Sequence, residues 1–171
     1  MKKRNLLLVI ALSIPLLGFF GRSNDRQGKP PIILGSYAPR VIQPGRIWKV
    51  FLHVKDDDGD IKDITAMLLE PGNVISPISF TRIRSEKDRG EFQGYLYLTT
   101  PRRVSFYGRQ FVIQIQVRDR ELSRSNAIKL SLTFGEITEE NIPEIWQNAA
   151  NNNLGRIMID FDELDDWRSV Y

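Results

Sequence analysis

Seven short stretches of the chain alternate between apolar and polar residues, which is the pattern of β-strands that bury one face. The clearest stretch has a large apolar residue at every second position from Phe111 to Val117. Turn-forming residues such as glycine, proline and aspartate separate the stretches. The pattern predicts an all-β fold in which two antiparallel sheets share one core. The seven predicted strands are residues 32–37, 47–55, 61–69, 78–83, 92–99, 111–117 and 128–134.

The segment from Trp48 to Leu69 begins this predicted sandwich. Apolar side chains alternate through residues 48–54 and again through residues 64–68, and the acidic sequence DDDGD lies between them at residues 56–60. Aspartate favours turns because it hydrogen-bonds its own nearby backbone, and glycine because it accepts unusual backbone angles. We therefore expect a β-hairpin here, with a second hairpin over residues 111–134 as its partner.

Two motifs carry a resemblance to a known superfamily. The sequence VKDDDGDI at residues 54–61 resembles the Asp-rich B–C turn of bacterial immunoglobulin-like modules. The alternating strand that ends at Asp119, followed by a polar turn and another alternating strand, is similar to their closing F–G hairpin. Fibronectin type III, cadherin-like and polycystic-kidney-disease (PKD) type modules share this layout. The resemblance covers residues 32–134 and implies an immunoglobulin-like sandwich without implying one function, because this fold supports many.

The N-terminus has the composition of an export signal. Residues 1–21 begin with Lys2, Lys3 and Arg4, contain no acid and continue as an apolar run. That run, residues 6–20, is short for a membrane span of about 20 residues. The expected location is therefore exported, as a periplasmic, membrane-anchored or extracellular protein that contacts a membrane only through its N-terminal segment.

The C-terminus differs from the sandwich in its charge. Residues 135–171 carry nine acids and two bases, a net charge of −7, whereas residues 22–134 carry 19 bases and 12 acids, a net charge of +7. We expect an α-helical or irregular acidic extension, with a helix near residues 138–150 and a strand near residues 154–161. Two interpretations stand: the extension packs on an open sheet edge, or it recruits a partner through Trp146, Trp167 and Tyr171.

The predicted organisation has four parts. Residues 1–21 are a signal peptide or N-terminal anchor, residues 22–31 a polar linker, residues 32–134 the seven-stranded antiparallel immunoglobulin-like sandwich, and residues 135–171 the acidic extension.

Composition excludes several classes of chemistry. The chain has no cysteine, which rules out disulfides, thiol catalysis and cysteine–zinc sites. Its one histidine, His53, lies on the polar face of a predicted strand, and this leaves little basis for acid–base catalysis. Without the three N-terminal bases the formal charge of +3 falls to zero, so nucleic acid is not expected as a partner. We expect a protein that is not an enzyme.

The acidic turn is a candidate metal site. Asp56, Asp58 and Asp60 crowd carboxylates together, and calcium binds oxygen clusters of this kind. In an immunoglobulin-like sandwich the B–C and F–G turns lie at one end, which would bring Asp119 and Glu121 close. The sequence Asp-Arg-Glu at residues 119–121 is also similar to a calcium motif of cadherins. The alternative is a solvated turn whose aspartates cap backbone amides and pair with nearby bases; on that interpretation the protein has no cofactor.

The loop at residues 99–110 is a candidate binding surface. Arg102, Arg103 and Arg109 flank Phe106 and Tyr107. Bases beside aromatic rings suit acidic partners through charge and cation–π contacts. The alternative is a long loop whose aromatic rings close the end of the core.

These features together predict an exported, non-catalytic binding or structural module of the cell envelope that acts through protein–protein interaction. The alternative function is a calcium-stabilised adhesin-like domain or a glycan-binding domain that uses Tyr95, Tyr97, Phe106 and Tyr107. The expected partner is an envelope or extracellular protein, with a glycan as the second choice.

Overall fold

A computed structural model describes residues 28–69, 76–136 and 141–161 of the chain. Within these ranges no helix is long and apolar enough to cross a membrane. Short 3-10 turns occupy Glu86–Asp88, Val104–Phe106, Glu144–Trp146 and Asn148–Asn151. The strands are β1 (Ile32–Tyr37), β2 (Val41–Ile42), β3 (Ile47–Lys55), β4 (Ile61–Leu69), β5 (Ser79–Arg82), β6 (Glu91–Thr99), β7 (Gln110–Asp119), β8 (Ile128–Phe134) and β9 (Asn153–Ile157). The segment predicted as a signal lies outside the described residues.

The strands form two sheets with the orders β1-β3-β6-β9 and β2-β8-β7-β4-β5. The all-β, two-sheet prediction is confirmed, and every predicted stretch contains a strand. The prediction of seven strands that all run antiparallel is wrong: β2 and β9 are additional, and they pair parallel to β8 and β6. Alternation finds long strands but misses β2, which has two residues.

The predicted hairpin between β3 and β4 is also wrong. Strand β3 pairs with β1 and β6, whereas β4 pairs with β5 and β7. The acidic turn therefore carries the chain from one sheet to the other. Alternation specifies which face of a strand is buried but not which strand lies beside it, so the sequence pattern is equally compatible with both arrangements.

The core lies between the two sheets, where the alternating apolar residues meet. Trp48, Leu52 and Leu96 from one sheet and Ile113 from the other have no exposed surface. The indole N–H of Trp48 donates to the carbonyl oxygen of Pro39 at 2.7 Å, because a buried indole needs a hydrogen-bond acceptor. The one polar atom of this large core side chain is therefore paired within the protein.

A side-chain amide joins the two sheets near the start of β1. The backbone N–H of Ile33 donates to Oδ1 of Asn126 at 2.8 Å, and Nδ2 of Asn126 donates to the carbonyl oxygen of Ile33 at 3.2 Å. Asn126 follows β7 in the other sheet. The pair fixes the first strand in place, although local alternation in β1 is weak.

The described part of the C-terminal extension packs on the sandwich. Trp146 lies on the outer face of the first sheet, 6.2 Å from the ring of Phe51, and that ring is 1% exposed. Residues 144–151 form 3-10 turns rather than the predicted helix, and β9 then runs beside β6. Phe161 is buried at one end of the core, where its ring centre lies 5.3 Å from that of Phe111 and 5.8 Å from that of Phe134. The extension therefore contributes a strand and a core residue and is not only helical or irregular.

Candidate functional site

Two acidic turns meet at one end of the sandwich. One is residues 56–60 between β3 and β4, and the other is residues 119–121 at the end of β7. Ile61 of β4 pairs with Asp119 of β7, and this register brings the turns together. Asp56 is 4% exposed and Asp119 is 1% exposed. Carboxylates this deeply buried require compensation.

Backbone amides and two lysines pair with the exposed acids of these turns. Asp57 lies 3.3 Å from both the Lys29 and the Lys55 ammonium, and the hydrogen bond from Lys29, followed by that from Lys55, lowers the pKa of Asp57. The backbone N–H of Lys29 donates to Asp58, and that of Gly28 donates to Glu121 at 2.7 Å. The segment before β1 thus binds the acidic turn. Sequence reasoning missed this contact, because nothing in the linker's composition indicates where it lies.

A bidentate ion pair lies just beyond the turn. Nε and Nη2 of Arg118 donate to the two carboxylate oxygens of Asp63 at 2.7 and 2.8 Å. The Arg118 guanidinium also lies 4.7 Å from the ring centre of Phe80. The structure therefore pairs a base near the turn with Asp63 of β4, the strand that follows the turn.

Asp56 and Asp60 are the two carboxyl groups at this end whose negative charges are least well compensated. Oδ2 of Asp56 accepts from the backbone N–H of Asp60 at 2.9 Å, while its buried Oδ1 has no hydrogen-bond partner among the described residues. The pKa of Asp60 is raised to about 6, first by burial, then by its hydrogen bond to Asp56 and by the negative charges of Asp56, Asp119 and Glu121. A proton or a cation between these two carboxylates would relieve the repulsion.

The predicted calcium ligands are Asp56, Asp58, Asp60 and Asp119, and they do not form a ready-made coordination set. Within residues 28–69, 76–136 and 141–161, no three acidic or histidine side chains are arranged to hold a metal ion. Oδ1 of Asp119 accepts from the N–H of Ser123 at 2.7 Å, and Asp56 and Asp58 also accept backbone amides. Much of the alternative interpretation, amide capping and pairing with bases, is therefore present. Calcium binding stays a prediction.

The Asp60→Asn variant is expected to be more stable than the native protein above pH 7. The folded-state pKa of about 6 exceeds the ordinary value of 3.8, so the folded state holds a proton that the unfolded state has released. That stabilisation is complete below about pH 4 and is lost as the pH rises through 6. Because Asp60 is partly exposed, solvent screening reduces the expected gain of the variant to about 1 kcal/mol at pH 8. Urea unfolding in a chelator between pH 4 and 8 measures it.

Asp57→Asn is the matched control for this measurement. Its carboxylate is paired with two lysines and has a lowered pKa, so the variant should show no stabilisation that develops between pH 5 and 8. A constant stability difference between Asp60→Asn and the native protein over this range would contradict the assignment of the raised pKa to Asp60.

The basic aromatic loop separates into a buried part and an exposed part. Phe106 is 0% exposed and packs among the core phenylalanines, which removes its ring from any partner surface. The guanidinium of Arg109 lies over that ring at 4.7 Å. Arg102 and Arg103 are exposed, and Tyr107 is 44% exposed. The structure therefore keeps three of the five predicted loop residues at the surface. Trp167 and Tyr171, the other predicted contacts, lie outside the described residues.

The predicted glycan residues do not share one surface. Tyr95 packs against Phe51 on the outer face of the first sheet, 6.0 Å between ring centres, with the Lys49 ammonium 4.6 Å above its ring. Tyr97 is half-buried on the same strand, beside Arg156 of β9. Phe106 is in the core. His53, also on this outer face, lies 2.8 Å from a carboxylate oxygen of Glu91.

Comparison with known proteins gives only distant likenesses. The sequence matches no protein-family model and no curated protein. Three of the solved structures that are similar in shape follow. The PKD domain of an M14-like peptidase from Thermoplasmatales archaeon SCGC AB-540-F20 has a TM-score of 0.42 at 16% identity, over 64% of this chain and 99% of that one. The CARDB domain of a Pyrococcus furiosus protein, solved with di-metal ions, has a TM-score of 0.37 at 11% identity, over 65% of this chain and 97% of that one. A Niemann-Pick type C2 protein from the Japanese carpenter ant has a TM-score of 0.41 at 8% identity, over 63% of this chain and 94% of that one.

The strand order of the chain itself decides its fold. One sheet begins β1-β3-β6 and the other contains β4-β7-β8, with a crossing between sheets at the acidic turn. These are the A-B-E and C-F-G sheets of the immunoglobulin fold. This chain is an immunoglobulin-like β-sandwich. Strand β9 of the sandwich takes the edge beside β6, the position that strand D has in constant-type domains.

Proposed function

We propose that this protein is an exported, non-catalytic binding module of the cell envelope that acts through protein–protein interaction. The observation that carries the proposal is the exposed group of Arg102, Arg103 and Tyr107. Their loop is anchored to the core by buried Phe106. Export is supported by the basic and apolar pattern of residues 1–21.

The physical basis is that arginine and tyrosine side chains contribute most to the free energy of binding where their backbone is already ordered. Phe106 lies 5.7 Å from Phe134 and 6.1 Å from Phe161, so the loop is attached to a rigid aromatic cluster. The backbone N–H of Gly108 also donates to the carbonyl oxygen of Phe134 at 2.7 Å. A loop held in this way loses little conformational freedom on binding.

A photo-cross-linking amino acid at position 107 is expected to capture an envelope protein in intact cells. The same amino acid in place of Leu122, which is 52% exposed in the turn after Asp119, is the matched control. Mass spectrometry of the products identifies the captured protein. Replacing Arg102 and Arg103 with glutamate should reduce capture at position 107 about tenfold, since both charges are reversed.

Two outcomes would contradict the proposal. One is a set of captured proteins that is the same at positions 107 and 122. The other is capture at 107 that is indifferent to the charge reversal. Export is tested separately by fusing alkaline phosphatase after residue 171, since that enzyme becomes active only where its disulfides form. An inactive fusion would remove the envelope location.

A calcium-stabilised role is the second candidate, favoured by the unpartnered Oδ1 of buried Asp56 beside Asp60. Calcium bound only to the folded state would raise the free energy of unfolding by about 2.7 kcal/mol at 100 times its dissociation constant. The pH series described for Asp60→Asn, repeated with calcium in place of the chelator, tests this. Equal stabilities in calcium and in chelator would contradict it.

A further inference from the structure

A groove lies where the open edges of the two sheets meet. Strand β5 is the last strand of one sheet and β9 the last strand of the other. The hydroxyl of Thr81 donates to the carbonyl oxygen of Arg156 at 2.7 Å, and the N–H of Met158 donates to Oγ of Ser79 at 2.7 Å. The groove along this seam has a volume of about 540 Å³, which is in the range of ligand-binding clefts.

Four cationic side chains line the groove: Arg82, Arg84, Lys87 and Arg156. All four are exposed, and in the part of the chain that the structure describes none lies within ion-pair distance of a carboxylate. The one acid of the lining, Asp88, is 7% exposed, and its Oδ1 accepts from the amide of Asn152 at 3.3 Å. The groove therefore has four cationic side chains against one carboxylate and is positive.

Neutral hydrogen-bonding groups lie between the cations. The hydroxyl of Ser85 makes no capping bond at the start of the 3-10 turn that follows it. Asn153 uses Oδ1 to accept from the N–H of Gly155 at 3.0 Å, which leaves its NH₂ group for another acceptor. Tyr97 adds a half-buried ring with a polar tip. A ligand that fills the groove meets charge, amide, hydroxyl and aromatic surface together.

We propose that this groove binds an oligosaccharide that bears carboxylate groups. The arginines and the lysine pair with its carboxylates, and Ser85 and Asn153 bind its hydroxyls. The Tyr97 ring contacts the apolar face of a sugar ring. Inorganic phosphate would use the charges alone, and an acidic peptide of glutamates would offer only its backbone groups to Ser85 and Asn153 and no sugar-ring face to Tyr97. The groove is separate from the loop at Arg102, Arg103 and Tyr107, so the site goes beyond the protein-binding role.

Hexagalacturonate is the probe for this site, and calorimetry of the full chain is the measurement. We expect saturable binding that weakens with added salt. Replacing both Arg84 and Arg156 with serine should weaken binding about tenfold, since two charge-assisted contacts are lost. Tyr97→Ala should weaken it about threefold. The paired variant Arg40→Ser with Lys129→Ser removes the same charge from exposed positions outside the groove and should leave binding within a factor of two.

Each other result overturns the proposal. No binding, or equal losses in the groove pair and the control pair, would mean that the groove is not a specific site. Hexaglutamate binding as tightly as hexagalacturonate would make it a general polyanion surface, and maltohexaose binding equally would exclude charge recognition. Thermal unfolding of each variant establishes that it is folded. The cross-link at position 107 does not involve this groove, so the two proposals fail independently.

Discussion

Truncation of the chain after Gly135 is expected to abolish folding at 25 °C. The cut removes Trp146, Ile157 and Phe161, which are 8%, 1% and 3% exposed, and it uncovers Phe51. Each large apolar side chain contributes about 1.5–3 kcal/mol by burial. Their sum is comparable to the total stability of a domain, about 5–15 kcal/mol. Circular dichroism with urea should show no cooperative transition, and amide NMR dispersion should collapse.

Truncation after Phe161 is the matched control, because it keeps every contact of residues 141–161 described above. We expect its melting temperature to stay within about 3 °C of the full chain. The stability of the single variant Trp146→Ala should lie between those of the two truncated chains, with a loss of about 3 kcal/mol in the free energy of unfolding. If the chain ending at Gly135 unfolds cooperatively with near-native stability, the extension is an accessory and the sandwich ends at β8.

Alanine at Gly94 or Gly155 is expected to displace β9 and to lower the free energy of unfolding by about 3 kcal/mol at either position. A Cβ at Gly94 would lie 2.8 Å from the carbonyl oxygen of Asn152 and 2.8 Å from Cγ of Leu154. A Cβ at Gly155 would lie 2.5 Å from Cγ2 of Thr81, on a backbone with a φ of +138°. Urea unfolding midpoints measure both losses.

Gly59→Ala separates backbone strain from collision. Gly59 has a φ of +70° with nothing within 4 Å of its Cβ position, so its variant should lose only about 1 kcal/mol. Thr81→Ser removes Cγ2 while keeping the hydroxyl that bonds Arg156, and it should restore part of the stability lost in Gly155→Ala. Equal losses at Gly59 and Gly155, with no rescue by serine, would show that the close approach of β5 and β9 is not what requires glycine.

The immunoglobulin-like fold has a surface with three separate chemistries. The acidic end at Asp56 and Asp60 holds a carboxyl group with a raised pKa, the loop at Tyr107 presents arginine and aromatic groups, and the seam of β5 and β9 is positive. The three sets of residues do not overlap, so variants of each surface can be made separately.

The acidic end shows how far spacing can be used to predict a site. The sequence predicted that Asp119 and Glu121 would approach the turn, and their charges do raise the pKa of Asp60. It did not predict Lys29, whose backbone and ammonium bind Asp58 and Asp57. Lys29 is 28 and 29 positions from these residues, and no local pattern encodes a contact across that distance.

The sequence by itself determined the longer strands and their buried faces, because alternation at a period of two is a property of each strand. It also predicted a strand near residues 154–161, where the structure has β9. The tertiary structure alone decided which strands are neighbours, that β3 and β4 belong to different sheets, and that β9 closes the edge beside β6. The physical reason is that pairing and docking depend on atoms distant in sequence, such as Gly94 beneath Asn152 and Phe51 beneath Trp146.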